Sequence, residues 1–191
     1  MSKERPDIGI REYKESDIPF IYSNWLRDFK LNGMAVMKVR NNIFYLNHHK
    51  ILDEIIERPT TKILVAHVTE DPDVILGFLA YEERNDRKNI AHYCLIKEQF
   101  KRFGIAKELL KKSELDLNQC EFSHWTYDLD RTIYIVEPNP KWDHNRLKDM
   151  MEGRIKEVVY IPKYPDLTYN PYLICNLGGS SERPKNKSSS V

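Results

Sequence analysis

Charge of one sign is what this chain most clearly lacks. Its 191 residues carry 30 lysines and arginines against 29 aspartates and glutamates, a formal net charge of +1. A protein devoted to the phosphate backbone of nucleic acid is usually clearly basic, so the balance counts against that class while leaving room for a local basic patch. Long apolar runs are missing as well; none approaches the roughly 20 residues of a membrane-spanning helix. The opening run Met1-Ser2-Lys3-Glu4-Arg5-Pro6 is polar and has no signal-like apolar core. Cysteine is scarce: Cys94, Cys120 and Cys175 are widely spaced, odd in number and in no C-x-x-C pair. That usage fits reduced thiols and predicts a cytoplasmic protein. Cys94 and Cys175 lie in apolar, strand-like runs, which predicts buried packing for both. No internal repeat is present.

What is there is globular in composition, 41% hydrophobic and 31% charged. The length suits one well-cored domain. Residues 1–177 are expected to form it, and the Gly-, Ser-, Lys- and Pro-rich stretch 178–191 to be a disordered polar tail.

Along the chain, Ile8 to Tyr13 reads as a first strand. Ser16 and Asp17 are natural helix caps, and Ile18, Ile21, Tyr22, Trp25, Leu26 and Phe29 then follow at helical spacing. Asn32-Gly33 stops that helix. A second helix is expected from Arg40 to Glu57, where the adjacent His48 and His49 point in different directions and suit shared metal ligation poorly; no metal is expected. Thr61–Thr69, Val74–Glu82 and Ile90–Ile96 read as a three-strand meander. A basic turn, Lys101-Arg102-Phe103-Gly104, leads into a helix running to about Leu117. Further strands are expected at Phe122–Tyr127, Thr132–Val136, Ile155–Ile161 and Leu173–Leu177, with a short helix from Asn145 to Glu152.

The turn at 101–104 carries chemistry. A strand that feeds a helix through a glycine and several cations can hold phosphate. The first helical turn has free N–H groups and the positive end of the dipole, and a glycine lets a ligand approach the backbone. Lys101, Arg102 and Lys107 add full charges. The alternative is an ordinary strand-to-helix connection with a solvated basic turn.

Element order and two short passages together resemble the GNAT N-acetyltransferase family. The passages are Ile10-Arg11-Glu12-Tyr13 with Ser16-Asp17, and Lys101-Arg102-Phe103-Gly104-Ile105-Ala106. The second is similar to the family's pattern of Gln or Arg, two residues, Gly, any residue, then Gly or Ala; Lys101 is a departure at its first position that keeps the charge. Tyr169-Asn170-Pro171-Tyr172-Leu173 is similar to a run in some phage-encoded chains of that type. The resemblance implies an α/β fold, a mixed and mostly antiparallel central sheet flanked by helices. It implies acetyl-CoA as co-substrate, its pyrophosphate on Lys101, Arg102, Phe103, Gly104, Ile105 and Ala106, and its pantetheine arm along the strand at Cys94, Leu95 and Ile96.

Acetyl transfer to an amine needs a route for the amine proton, a donor for the oxyanion and a proton for the leaving thiolate. The base candidates are Glu82, Glu83 and His92; the alternatives are solvated surface charges for the glutamates and a packed histidine for His92. The family's helix-four Tyr is missing after Asn145, and Tyr127 and Tyr160 are the phenols taken as acid candidates. Trp125 reads as core, or beside His124 as the wall of an acceptor pocket. The expected function is acetyl-CoA-dependent acetylation of a primary amine, its acceptor a small molecule or protein. The alternative is a catalytically inactive module of the same fold.

Overall fold

The computed structural model describes residues 5–34, 36–85, 87–126, 128–129, 134–137, 159–170 and 173. Their order is β1 (Ile8–Glu12), a 3-10 turn (Glu15–Asp17), α1 (Ile18–Asn32), α2 (Asn41–Ile56), β2 (Thr61–Val68), β3 (Ile75–Glu82) and β4 (Asn89–Ile96). A 3-10 turn at Glu98–Phe100 leads to α3 (Ile105–Ser113), another at Leu117–Gln119 to β5 (Cys120–Phe122), and β6 (Tyr134–Glu137), β7 (Val159–Pro162) and β8 (Thr168–Tyr169) follow. The fold is α/β, with a six-stranded sheet in the order β1-β2-β3-β4-β5-β8 and a separate β6-β7 ladder. The first four strands pair antiparallel, whereas β4-β5 and β5-β8 are parallel. The expected mixed, mostly antiparallel sheet flanked by helices is what forms.

Alternation along the central strands builds two cores. Ile63 and Val65 of β2 and Phe78 and Ala80 of β3 meet Trp25, Phe29, Phe44 and Leu52 of α1 and α2. Leu64, Ala66, Leu79 and Tyr81 face the other way, onto Ile105 and Leu109 of α3. Covered on both sides, β3 is buried at all eight positions. Sidedness there comes from the period of two and not from a polar face.

Gly77 of β3 sits where a Cβ would stand 2.3 Å from the carbonyl oxygen of Leu95 on β4. Backbone cannot yield as a flexible side chain can, so Gly77→Ala is expected to lower stability by about 1–3 kcal/mol, measured by urea unfolding.

Several expectations are corrected. Asp17 precedes α1, but its carboxylate makes no cap bond into that helix. It accepts from Arg11 at 2.5 Å and from the Lys14 N–H at 2.8 Å, closing β1 onto the 3-10 turn. Burial would raise its pKa, yet the Arg11 bond outweighs that and holds it below the usual carboxylate value. The helix expected to reach Leu117 ends at Ser113, where Glu114 takes a left-handed φ of 58°. The strand expected at Phe122–Tyr127 is shorter and earlier, Cys120–Phe122. Thr168 and Tyr169 form the short strand β8, ahead of Asn170. The Asn145–Glu152 helix, Cys175, most of the Leu173–Leu177 strand and Tyr127 lie outside the described residues. Among the described residues no helix is long and apolar enough to cross a membrane.

Candidate active site

The site forms where β4 and β5 part. Their parallel ladder runs only from Asn89↔Cys120 through Ala91↔Phe122, with one further bond from the Ser123 N–H to the Ala91 carbonyl at 3.4 Å. The chain then leaves β4 and crosses to the end of α1. The Met34 N–H donates to the Trp125 carbonyl at 3.0 Å, and Gly33 bridges Thr126. Tyr93 to Ile96 therefore pair with β3 on one side and, among the described residues, with no strand on the other.

A β-bulge marks the point of divergence. Tyr81 opposes Ala91 and Ala80 opposes Tyr93, so His92 is the extra residue on β4. A bulge bends its strand and re-aims the side chain it carries. Cys94, just beyond, is exposed, which corrects the expectation of a packed thiol. The reason is the missing neighbour strand.

The open edge runs into the basic turn. Arg102 and Gly104 both have left-handed φ, 72° and 83°. These two kinks lift the chain off β4 and start α3, whose N-terminus no side chain caps. Among the described residues the N–H groups of Arg102 to Lys107 have no acceptor, and the first one used is that of Glu108, bonded to the Gly104 carbonyl at 3.1 Å. A Cβ on Gly104 would meet nothing within 4 Å, so the space before the helix is open. N–H groups left without acceptors at the positive end of a helix dipole can hold an anion.

Its charges differ from the sequence reading. Lys101 is engaged by Glu98 at 2.8 Å and by Asp128 at 2.9 Å. Those hydrogen bonds raise its pKa. Arg102 and Lys107 make no ion pair among the described residues and carry the turn's available positive charge.

Glu82 and His92 are brought together, and both are inside the protein, only 3% and 2% exposed. The reading of Glu82 as a surface charge is thus overturned. His92 Nε2 lies 2.8 Å from Glu82 Oε1 and His92 Nδ1 lies 2.8 Å from Ser123 Oγ. Arg58 donates to Glu82 at 2.5 Å and Thr60 donates at 3.3 Å. Burial pushes the Glu82 pKa up, but the bonds from His92 and Arg58 prevail and bring it down to about 2. Burial also dominates at His92 and pushes its pKa down, against the pull of Glu82. The pair is therefore a carboxylate and a neutral imidazole at neutral pH. Glu83 sits outside, on Lys62 at 2.6 Å.

Sequence reasoning missed Ser123 and the role of His124. Ser123 Oγ is 2.7 Å from His124 Nδ1. The His124 ring, 2% exposed, sits among Trp25, Phe29 and Tyr93. Trp125, expected in the core, is half-buried and packs on Phe122 and Tyr169. Tyr160 is on β7, paired with Val136 of β6. Two surface depressions, one of about 520 Å³ beside Arg5 and Glu108 and one of about 280 Å³ beside Arg27 and Tyr45, are lined by no residue of β4.

No family model matches the chain, and no curated protein does. Solved structures do. A protein of Pyrococcus furiosus described as an acetyl transferase is 16% identical over 83% of this chain and 99% of its own, at a TM-score of 0.47. The PaiA N-acetyltransferase of Thermoplasma acidophilum, solved with coenzyme A, is 14% identical over 71% of this chain and 94% of its own, at 0.46. The aminoglycoside 6'-N-acetyltransferase AAC(6')-Ih of Acinetobacter baumannii is 16% identical over 82% and 97%, at 0.37. Those acetyltransferases are what this chain is similar to, at scores that leave the weight on its own strand order, open β4 edge and uncapped α3.

Proposed function

We propose that the protein is an acetyl-CoA-dependent N-acetyltransferase acting on a primary amine. One observation carries the reading: a strand edge, Tyr93–Ile96, with no neighbour strand among the described residues, leads directly into an uncapped helix N-terminus with open space over Gly104. An extended, amide-bearing arm ending in a pyrophosphate matches that pair of features in order. The edge offers backbone groups to the arm, and the N–H groups of Arg102 to Lys107 offer donors to the phosphates, with Arg102 and Lys107 adding charge. Bound there, acetyl-CoA supplies the thioester. Cys94, Leu95 and Ile96 hold the arm, and Lys101 to Ala106 hold the phosphates.

Glu82 and His92 act from behind the strand rather than on the substrate, since each is sealed from solvent. Tyr127 and Tyr160 are the proposed sources of the proton for the leaving thiolate. The second reading, a binding module of the same fold without catalysis, is favoured by that sealing: neither Glu82 nor His92 is open to solvent.

A thermal shift separates the readings. Acetyl-CoA at about a hundred times its Kd stabilises the native state by about 2.7 kcal/mol. In a chain of this size that is a rise in Tm of about 5–10 °C. A rise accompanied by release of free CoA from an amine panel supports the enzyme. A rise without turnover supports the binding module, and no rise with no heat of binding overturns both.

A further inference from the structure

Beyond the last backbone bond, from the Ser123 N–H to the Ala91 carbonyl, the two parting strands are joined by side chains. The joint is continuous and buried: Glu82 on β3, His92 at the bulge of β4, then Ser123 and His124 immediately after β5. Glu82, His92, Ser123 and His124 are 3%, 2%, 0% and 2% exposed.

With His92 neutral, the form its burial favours, each link of the chain takes one proton assignment. Glu82 is held ionised by Arg58 and only accepts, so His92 Nε2 carries its proton and donates. His92 Nδ1 then accepts a hydrogen bond from the Ser123 O–H. Ser123 Oγ in turn accepts from His124 Nδ1–H. In that assignment the last nitrogen, His124 Nε2, is a buried acceptor with no hydrogen-bond partner among the described residues. An orphan of that kind is costly, and its presence beside an aromatic cluster shows that the ring is placed for what its other nitrogen holds.

We infer that Glu82–His92–Ser123–His124 is a polar clamp that fixes the angle at which β5 leaves β4 and thereby keeps the carrier-binding edge of β4 open. The bulge turns the His92 ring so that its two nitrogens reach β3 and the end of β5 at once. His124 anchors the far end by seating its ring against Trp25 and Phe29 of α1 and Tyr93 of β4. Without the middle link, β5 is free to close onto Tyr93–Ile96 or to swing away from it. Either motion removes the edge to which the arm of a CoA thioester pairs. Ser123, in this arrangement, is a positioning residue and not a nucleophile. The inference rests on the proposed function for what the edge binds.

The test uses the full chain and CoA in calorimetry. Ser123→Ala leaves both histidines unlinked and is expected to raise the CoA Kd at least tenfold. Ile63→Val, a core change on β2 matched to it in loss of Tm, is expected to leave Kd unchanged. Should Ser123→Ala not fold, His124→Phe replaces it, since it keeps an aromatic ring in the cluster and removes the bond to Ser123. Its expected result is an unchanged or raised Tm with the same loss of affinity. A Kd within twofold of wild type in the variants overturns the clamp. Absence of CoA binding by the wild type overturns the functional reading instead. The clamp is then decided by ring-nitrogen chemical shifts, with His92 as the Nε2–H tautomer and His124 as the Nδ1–H tautomer supporting it and the reverse assignment overturning it.

Discussion

Gly104→Val is expected to cut CoA affinity about a hundredfold while the fold survives. The two halves of that expectation have separate causes. Gly104 has φ 83° and ψ 4°, a conformation that costs an L-residue about 1–2 kcal/mol, and more for a β-branched one. That strain is the whole penalty in the free protein, because an added Cβ meets nothing within 4 Å. The open space is also where the proposed phosphates approach the N–H groups of Arg102 to Lys107, so two methyl groups there displace the ligand and no part of the protein. A hundredfold loss corresponds to about 2.7 kcal/mol, the scale of a few charge-assisted hydrogen bonds. Calorimetry gives the affinity and urea unfolding the stability. Gly104→Ala should fall between the two, with most of the strain and less of the bulk. Arg102→Gly makes the opposite trade: it relieves a strained φ of 72° and removes a cation that makes no ion pair among the described residues. It should gain a few tenths of a kcal/mol of stability and still bind CoA more weakly. If Gly104→Val binds as wild type does, the phosphate seat is elsewhere.

How much of this was legible in the sequence depended on whether a feature has a period. α1 was, since Ile21, Trp25, Leu26 and Phe29 repeat at helical spacing and all four are buried. The meander was, because turn clusters separate its strands. The turn at Lys101 to Ala106, proposed to seat phosphate, was legible as a basic turn into a helix because glycine and cations stand out in the chain. Its partners were not: Glu98 and Asp128 are ordinary surface carboxylates in the sequence, and only the fold brings them to Lys101.

The clamp was hidden for three physical reasons. β3 is covered on both faces, so Glu82 had no polar face to be contrasted with, and its place at a strand end beside Glu83 made it look solvated. A bulge inserts one residue and breaks the period of two, so counting along β4 could not tell where the His92 ring points. Ser123 has no sequence signal at all; its meaning comes from standing one residue past a ladder that stops. Cys94 erred in the opposite direction, an apolar-run residue exposed because the neighbouring strand departs. In each case non-local pairing, which sequence pattern does not encode, decided burial.

Glu82→Ala carries the largest expected loss of stability, about 3–5 kcal/mol at pH 7. The carboxylate takes bonds from His92, Arg58 and Thr60 and lies 3.7 Å from Arg84. Its removal leaves the Arg58 guanidinium, which also reaches the Leu173 carbonyl at 3.3 Å, without its counter-charge. It also leaves His92 Nε2–H buried without an acceptor. The pH dependence identifies the cause. Glu82 is depressed from the ordinary 4.5 to about 2. Its contribution is therefore complete above about 4.5 and is lost as pH falls towards 2. His48, His92 and His124 are depressed from the ordinary 6.5 by burial, His124 the most. The unfolded chain binds their protons first, so stability falls as pH drops below 6.5, by up to about 1.4 kcal/mol per pH unit for each histidine. Wild type should thus show two acid limbs, one starting near pH 6.5 and one near 4.5. Glu82→Ala should shrink the lower limb to the share that Asp17, also held low by Arg11, leaves, and should keep the upper. His124→Phe should keep the lower and flatten the upper by one histidine's share. Urea unfolding from pH 7.5 to 3.5 reads both limbs. A Glu82→Ala protein within 1 kcal/mol of wild type, with its lower limb intact, would mean that the carboxylate is not the anchor of the buried chain.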